Sequence, residues 1–190
     1  MLFVMVNPFP PPIALISQVT DSAPEGILLI INLSNGHTDI QKLIAFENAF
    51  ERVFSIIELE GGVDGGIIVQ DCLQLLNNLL SFNVSNQSYF REMGCVPRLA
   101  KLFQFAQEPV PSYAKEQRDT NIEYAMRVCR LFVVPGGLGA AANQNAFFSA
   151  GILHLMLVIA FSGFSDFPVR AEVHFSPRLS DWFWGVLMGK

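Results

Sequence analysis

Charged residues are scarce in this chain of 190 residues. Asp, Glu, Lys and Arg make up only 15% of it, against 51% hydrophobic residues, and the formal net charge is −5. The 12 basic residues are scattered singly along the sequence, so it has neither the basic stripe of a nucleic-acid-binding protein nor a patch for anionic membranes. We expect no nucleic acid as a partner. The low charge indicates either a surface that something else covers or a piece of a longer array.

Cysteines are also few, and they fit neither a disulfide framework nor a metal site. Cys72, Cys95 and Cys129 lie 23 and 34 residues apart, without any CxxC or CxxH pair. An odd number of cysteines argues against paired disulfides, and each one stands among apolar residues, where a free thiol behaves as a small hydrophobe. We expect three buried structural thiols, no metal and no cofactor, in a reducing compartment such as the cytosol.

Signals for secretion or membrane insertion are missing as well. The N-terminal apolar stretch has no basic residues before it, and four prolines interrupt it, which is unlike a signal peptide. The longest late apolar run extends over 13 residues from Gly151 to Gly163, whereas a membrane-spanning helix needs about 20. This run predicts a buried helix.

No arrangement of reactive residues predicts catalysis. His37 lies in a turn, His154 on an apolar helix where a packed core histidine is expected, and His174 in an irregular tail. Asp71 is interpreted as a solvated or helix-end charge rather than an acid–base group. The glycine-rich stretch Gly61–Gly66 lacks the GK[ST] of a phosphate loop and predicts a flexible connector. The sequence therefore predicts no enzyme and no catalytic residue.

What the chain does contain is one helical pattern, written three times. The stretches "IQKLIAFENAFERVFSI", "NQSYFREMGCVPRLAKLF" and "NQNAFFSAGILHLMLVIA" each hold a glutamine, an apolar anchor, a turn residue and a second apolar helix. Their glutamines, 46 and then 57 residues apart, are Gln41, Gln87 and Gln144. The corresponding turn residues are Asn48, Gly94 and Gly151. Periods of this order are typical of helical repeat arrays.

A longer amphipathic helix precedes each of these pairs. In "GGIIVQDCLQLLNNLL" the apolar residues follow the i, i+3, i+4, i+7 spacing of one buried face; they are Val69, Cys72, Leu73, Leu76, Leu79 and Leu80. Its counterparts are Gly26–Gly36 and Thr120–Val134, the latter after a loop that begins in helix near Phe103. Sustained strand alternation is not found. The sequence predicts an all-α solenoid of about three repeats over residues 25–163, with an irregular proline-rich segment at 1–24 and another irregular segment at 164–190.

Helix-start chemistry gives finer predictions. Thr38 and Ser85 are expected to cap the two first short helices, because a hydroxyl can accept a free first-turn amide. Gln41, three residues after Thr38, would complete a capping box. Around the turn "FENAF", Phe46 and Phe50 are expected to pack inward.

The order of a long helix with a late asparagine, followed by "NQ…G…L..L", resembles the armadillo repeat. In that family the third helix carries this asparagine and lines a concave groove. The resemblance places Asn32 and Asn78 at that position, and Arg130 replaces the asparagine in the third repeat. Two interpretations of the asparagines stay open, namely satisfaction of nearby backbone and recognition of an extended peptide. Beside them we expect polar residues of the "FENAF" turn to face a partner; these are Glu47, Asn48 and Glu51.

Three longer runs carry a more specific resemblance. "QKLIAFENAFERVFSIIELEGG", "IVQDCLQLLNNLL" and "NVSNQSYFREMGCVPRLAKL" resemble the armadillo-like head of the general vesicular transport factors, the Uso-type Golgi tethers. The match is dense over residues 25–106 and looser to about residue 162. It implies a cytoplasmic protein, peripheral on Golgi and vesicle membranes, that binds Rab-type GTPases and SNARE or other tethering proteins. Members of that family dimerise through a coiled coil, and this chain has no sustained heptads to form one.

The resulting functional prediction is a protein-interaction module of a vesicle tether in transport from the endoplasmic reticulum to the Golgi and within the Golgi. Two alternatives remain, a generic armadillo-type peptide-binding adaptor and a truncated non-functional fragment. Adaptor grooves use tryptophan–asparagine ladders, whereas the tryptophans here, Trp182 and Trp184, lie outside the repeats. This favours the tether.

Overall fold

The computed structural model of the chain describes residues 24–105, 111–133 and 138–161. Within these ranges there are nine α-helices, one short 3-10 turn and no strand, so the all-α prediction is confirmed. The first three helices are α1 (Pro24–Ser34), α2 (Thr38–Phe46) and α3 (Ala49–Leu59). After the 3-10 turn at Gly62–Asp64 come α4 (Ile67–Leu80), α5 (Val84–Glu92) and α6 (Cys95–Phe105). The last are α7 (Ser112–Val133), α8 (Ala140–Ser149) and α9 (Ile152–Phe161).

The helices form three successive units of three helices. The first helices have 11, 14 and 22 residues, the second 9, 9 and 10, and the third 11, 11 and 10. We call the first helix of each unit its long helix and the second its short helix. The long helix α4 packs against both α1 and α7, so the three long helices lie side by side. The short helix α5 contacts α2 before it and α8 after it, and α6 likewise packs against α3 and α9. The order of elements expected from the repeated sequence pattern is therefore found in each unit. The predicted irregular segments, apart from Pro24, lie outside the described residues.

Each unit turns between its short and medium helix at one left-handed residue. The φ angles are 63° at Asn48, 71° at Gly94 and 71° at Gly151. Glycine adopts this conformation without steric cost, and asparagine tolerates it better than other residues with a side chain. The sequence alignment of these three positions therefore has a backbone reason.

The core runs continuously through the three units. All six predicted core residues of α4 have no exposed surface. A chain of phenylalanine rings connects the units, with centroids 5.1 Å apart for Phe50–Phe90, 5.2 Å for Phe90–Phe132 and 4.9 Å for Phe132–Phe147. Such ring contacts add about 0.5–1.5 kcal/mol each beyond simple burial. The units are thus packed into one body.

The polar loop predicted before Thr120 is partly wrong, because α7 begins at Ser112. Arg118 is 1% exposed, and its Nη2 lies 3.1 Å from Oδ2 of Asp64. One turn later, the amide of Asn121 donates to the carbonyls of Val63 and Gly65, at 3.0 and 2.8 Å. Polar residues that are buried and paired in this way leave no apolar pattern for sequence analysis to detect. The same contacts order Gly61–Gly66, which is therefore not a flexible connector.

The predicted caps are wrong at both short helices. The N-cap of α2 is His37, without a side-chain hydrogen bond, and Thr38 is already helical. The N-cap of α5 is Asn83, whose Oδ1 accepts from the backbone N–H of Asn86 at 3.2 Å. Ser85 lies inside the first turn. The N-cap of α5 therefore lies two residues before the predicted Ser85. An asparagine caps a helix at least as well as a serine does.

Three side chains have a different environment from the one predicted. Phe46 is 72% exposed and stacks on Tyr89, with centroids 5.5 Å apart, while Phe50 does pack inward. Asp71 is buried rather than solvated, and desolvation raises the pKa of its carboxyl above the usual value. His154 is exposed on α9, so it is not a core histidine.

Residues 152–161 of the late apolar run form α9, which packs against α6 and α8. Its residues Ile152 and Ile159 have no exposed surface. In the three described ranges, no helix combines the length and the apolarity that crossing a membrane requires.

Candidate protein-interaction surfaces

The glutamine that recurs in the sequence pattern ties each short helix to the long helix before it. In the first unit, Nε2 of Gln41 donates to the carbonyl of Ser34 at 3.0 Å. Gln87 makes the same bond to Leu80 at 3.0 Å, and Gln144 makes it to Val133 at 3.1 Å. Helix C-termini leave carbonyls without an intrahelical partner. The repeated glutamine satisfies one of them in every unit.

Neighbouring units are joined by the asparagine that precedes this glutamine. The Nδ2 of Asn86 donates both to the carbonyl of Gln41, at 3.0 Å, and to that of Leu79, at 2.8 Å. In the third unit, Nδ2 of Asn143 donates to Oε1 of Gln87 at 3.1 Å, and its Oδ1 accepts from Arg91. The asparagines are 2% and 3% exposed. These buried bonds set the distance and angle between successive short helices.

The two candidate groove asparagines are used differently by the fold. The Nδ2 of Asn78 donates to the carbonyl of Ile31 on α1, at 3.0 Å. Its neighbour Asn77 donates to the carbonyl of Tyr124 on α7, at 3.1 Å. Adjacent residues of α4 thus reach the long helices on either side. Asn32 is exposed and donates to the carbonyl of Leu28 within its own helix, at 2.8 Å.

The three candidate residues of the α2–α3 turn do lie together. We call Glu47, Asn48 and Glu51 the α2–α3 edge. Glu47 is half-buried, and the other two are exposed. Glu51 lies 2.6 Å from Nη1 of Arg98, a residue of α6 whose guanidinium also covers the ring of Phe54 at 5.0 Å. The edge therefore lies in the first unit, is tied to the second unit by the ion pair of Glu51 with Arg98, and keeps a net negative charge.

Arg130 is the remaining candidate, and it lies away from that edge. It is half-buried in the last turn of α7 and interacts with other residues. The structure thus gathers three of the six candidates at one turn. It places Asn32, Asn78 and Arg130 on three different long helices.

Sequence analysis missed an apolar groove between the second and third units. Phe82, Val84 and Leu138 are 100%, 40% and 83% exposed, and they line an open cavity of about 250 Å³. The repeat alignment contained a signal for it, because the turn position held by Gly36 in the first unit is held by Phe82 in the second.

The three cysteines are buried, as predicted. Burial raises the pKa of Cys72 to about 12, with the charge of Asp71 as a second cause, and burial raises that of Cys95 to about 11. The pKa of Cys129 is also raised by burial. Thiols in this state are poor nucleophiles. Within the described part of the chain, no group of three or more His, Cys, Asp and Glu residues could hold a metal ion.

Stacked units of three helices, with side chains bridging each unit to the next, define an armadillo-like helical repeat protein. No protein-family model matches the sequence. Intracellular protein transport protein Uso1 of Saccharomyces cerevisiae is 43% identical over 152 residues, and general vesicular transport factor p115 of Bos taurus is 40% identical over 137 residues. The crystal structure of Uso1-1 is similar to this fold, with a TM-score of 0.77 at 39% identity over 86% of the chain.

The chain belongs to the family of general vesicular transport factors that includes Uso1 and p115. The matches take in 78% of this chain but 8% of yeast Uso1, and 71% of this chain but 14% of bovine p115. The match to Uso1-1 covers 26% of that chain. The chain therefore spans a small part of the length of the relatives it matches.

Proposed function

We propose that this chain is a protein-interaction module of a vesicle-tethering factor, acting in transport from the endoplasmic reticulum to the Golgi and within the Golgi. The observation that carries the proposal is the 43% identity to a protein named for intracellular protein transport, over 152 residues. The fold supports it, because an array of packed helices offers extended surfaces for other proteins. We propose no catalytic step, and none of the described cysteines has the lowered pKa of a reactive thiol.

The partners in this proposal are a Rab-type GTPase and SNARE or other tethering proteins. Membrane association would be peripheral and would run through these proteins, in the cytoplasm. We assign the first contact to the α2–α3 edge. Charged groups on an interface rim steer partners toward it and set specificity. The buried bond from Nδ2 of Asn86 to the carbonyl of Gln41 joins α2, which leads into this edge, to the second unit.

The alternative, a peptide-binding adaptor, has less support. Such an adaptor would use free asparagine amides to hold an extended peptide. The Nδ2 groups of Asn78 and Asn77 instead bond carbonyls of neighbouring helices, and Asn32 bonds its own helix. Arg130, at the corresponding position of the third unit, offers no amide. A ladder of side-chain amides is therefore not free along the long helices described here.

The proposal is tested by capturing Rab GTPases on the immobilised chain, with GTP-locked and GDP-locked forms in separate arms. We expect retention of an early-secretory Rab in the GTP arm alone. Glu47→Lys is expected to weaken retention about tenfold, because it reverses the charge of the edge. Glu92→Lys, the same charge reversal at an exposed position at the end of α5, is the control. Equal retention in both nucleotide arms, or none by protein that circular dichroism shows to be helical, would refute the assignment.

A further inference from the structure

The turn between α4 and α5 holds a bulky residue in a conformation that favours glycine. The backbone N–H of Asn83 donates to the carbonyl of Leu80 at 3.4 Å, with φ −65° and ψ 124° at Ser81 and φ 55° at Phe82. This is the geometry of a type II turn, whose third residue needs a positive φ. For an aromatic residue such a φ is an outlier.

The first unit shows what the same turn contains without this strain. There the N–H of His37 donates to the carbonyl of Ser34 at 3.4 Å, and the positive φ of 74° belongs to Gly36. The two turns occupy equivalent places, each between a long helix and a short one. Nothing in the fold of the turn therefore requires a phenylalanine at position 82.

Packing within the described residues does not account for Phe82 either, since the side chain is 100% exposed. Backbone strain persists where it has a compensating role, and such outliers cluster at functional sites. Exposed aromatic side chains are also frequent anchors of protein interfaces. The position thus combines a strained backbone with an aromatic ring that has no core to pack against.

The ring borders the groove of about 250 Å³, and that groove is apolar. Val84 and Leu138 line it together with Phe82, and further lining comes from Leu131, Phe132 and Ala140. Its two polar residues, Gln87 and Asn143, are hydrogen-bonded to each other at 3.1 Å. An occupant would find apolar surface and little free hydrogen-bonding capacity, so its anchor must be apolar.

The size of the groove selects the kind of occupant. A stable dimer buries about 800 Å² on each partner. Even an aromatic side chain buries only roughly 150–250 Å², so the three exposed side chains of the groove together fall short of that area. The volume suits one large side chain of a partner segment rather than the surface of a second copy.

The first residues of two helices lie at the rim of the groove, and helix N-termini carry partial positive charge. Val84 and Ala140, the first residues of α5 and α8, both line it. The N-cap of α8 is Gly139, which has no side chain to accept from the first-turn amides of that helix. Helix N-termini favour negative charge within their first turn. An acidic residue beside the apolar anchor therefore complements this rim.

We propose that the groove formed by Phe82, Val84 and Leu138 is a docking site for a partner segment with one large apolar anchor flanked by acidic residues. The inference deepens the proposed function and rests on it, because it names a second contact surface of the same interaction module. Phe82 lines the groove beside the partner's anchor.

The test uses the full chain, labelled with ¹⁵N, and synthetic 12-residue Gly/Ser peptides that carry Phe flanked by Asp, Phe flanked by Lys, or Ser flanked by Asp. We expect the Phe/Asp peptide to shift the amide signals of Val84, Leu138 and Ala140, with binding at least threefold tighter than for Phe/Lys. The Ser/Asp peptide is expected to cause no shift. Phe82→Gly should weaken binding at least fivefold, and Leu59→Ser, at a residue 87% exposed on α3, should leave it unchanged.

Absence of shifts with the Phe/Asp peptide, shifts away from the groove, or equal binding by Phe82→Gly would each overturn the proposal. Sedimentation of the chain without peptide adds a separate outcome. A dimer that Phe82→Gly abolishes would make a second copy the occupant and would overturn the partner assigned here. Rab capture and peptide binding by the parent chain separate the two proposals. Rab retention without peptide binding refutes the groove alone, and peptide binding without Rab retention refutes the tether function alone.

Discussion

Replacing Asn86 by alanine tests the idea that buried amides hold the units together. This side chain is 2% exposed, and its Nδ2 joins α5 both to α2, through Gln41, and to the end of α4, through Leu79. Alanine removes both bonds. The Leu79 carbonyl lies in the last turn of α4, where helical N–H partners run out.

The expected cost follows from these contacts. Each intramolecular hydrogen bond contributes about 0.5–1.5 kcal/mol net, and a buried carbonyl left without a donor costs about 1–3 kcal/mol. For Asn86→Ala we expect the free energy of unfolding to fall by about 2–3 kcal/mol, a large share of the roughly 5–15 kcal/mol typical of a domain. Since a domain of this size loses about 2–4 °C per kcal/mol, the midpoint of thermal unfolding should drop by about 5–10 °C.

The measurement is urea unfolding followed by circular dichroism, with Ser85→Ala as the matched control on the preceding, exposed position of the same helix. We expect the control to stay within about 0.5 kcal/mol of the parent chain, as surface substitutions usually do. A loss below about 0.5 kcal/mol for Asn86→Ala would show that the inter-unit amides do not stabilise the array, and the reasoning on rigidity would fail with it.

Three further changes test other parts of the structure. Burial raises the pKa of the Asp71 carboxyl. The contribution of this carboxyl to stability is therefore favourable below its ordinary pKa and is lost as the pH rises through its pKa in the folded protein. Asp71→Asn should raise the urea midpoint at pH 7 and leave a smaller difference at pH 3.5. A Cβ at Gly65 would lie 2.5 Å from the carbonyl oxygen of Glu60. Gly65→Ala should therefore lower the free energy of unfolding in urea by about 1–3 kcal/mol or more. The control is Gly66→Ala, whose Cβ meets nothing within 4 Å. Phe82→Gly should raise stability by up to about 1 kcal/mol, because the left-handed penalty of about 1–2 kcal/mol is partly offset by the flexibility of glycine when unfolded; a loss of stability would contradict the strain on which the docking proposal depends.

Periodic apolar residues made most helices predictable from the sequence. The start of α7 was not predictable in this way, because buried polar contacts stabilise it. The buried face of α4 follows the 3.6-residue period, so burial could be inferred without coordinates. Arg118 and Asn121 are buried too, but their partners are the side chain of Asp64 and two carbonyls more than 50 residues away. A local pattern contains no information on such partners, which is why the start of α7 was placed too late.

The candidate surfaces show the same limit. Glu47, Asn48 and Glu51 could be expected together because one turn contains them. The bond between Asn78 and the Ile31 carbonyl could not, since it depends on how closely α4 approaches α1. For Phe82 the sequence did hold the necessary comparison with Gly36, but only the φ angles show that both residues occupy the same strained place.

Residues that all the units share are, in this array, the ones that folding uses. The recurring glutamine closes a helix end in each unit, and the recurring turn residue supplies a left-handed φ. Such positions have little freedom to recognise a partner, because any change would break the stacking. Recognition must then depend on positions where the units differ. Phe82 in place of a glycine and the acidic α2–α3 edge, which surrounds an asparagine where the other units have glycine, are two such positions. Phe82 and, on the edge, Asn48 and Glu51 remain exposed after the shared residues have made their bonds. The difference between units, rather than the repeat itself, is therefore where partner specificity can be encoded.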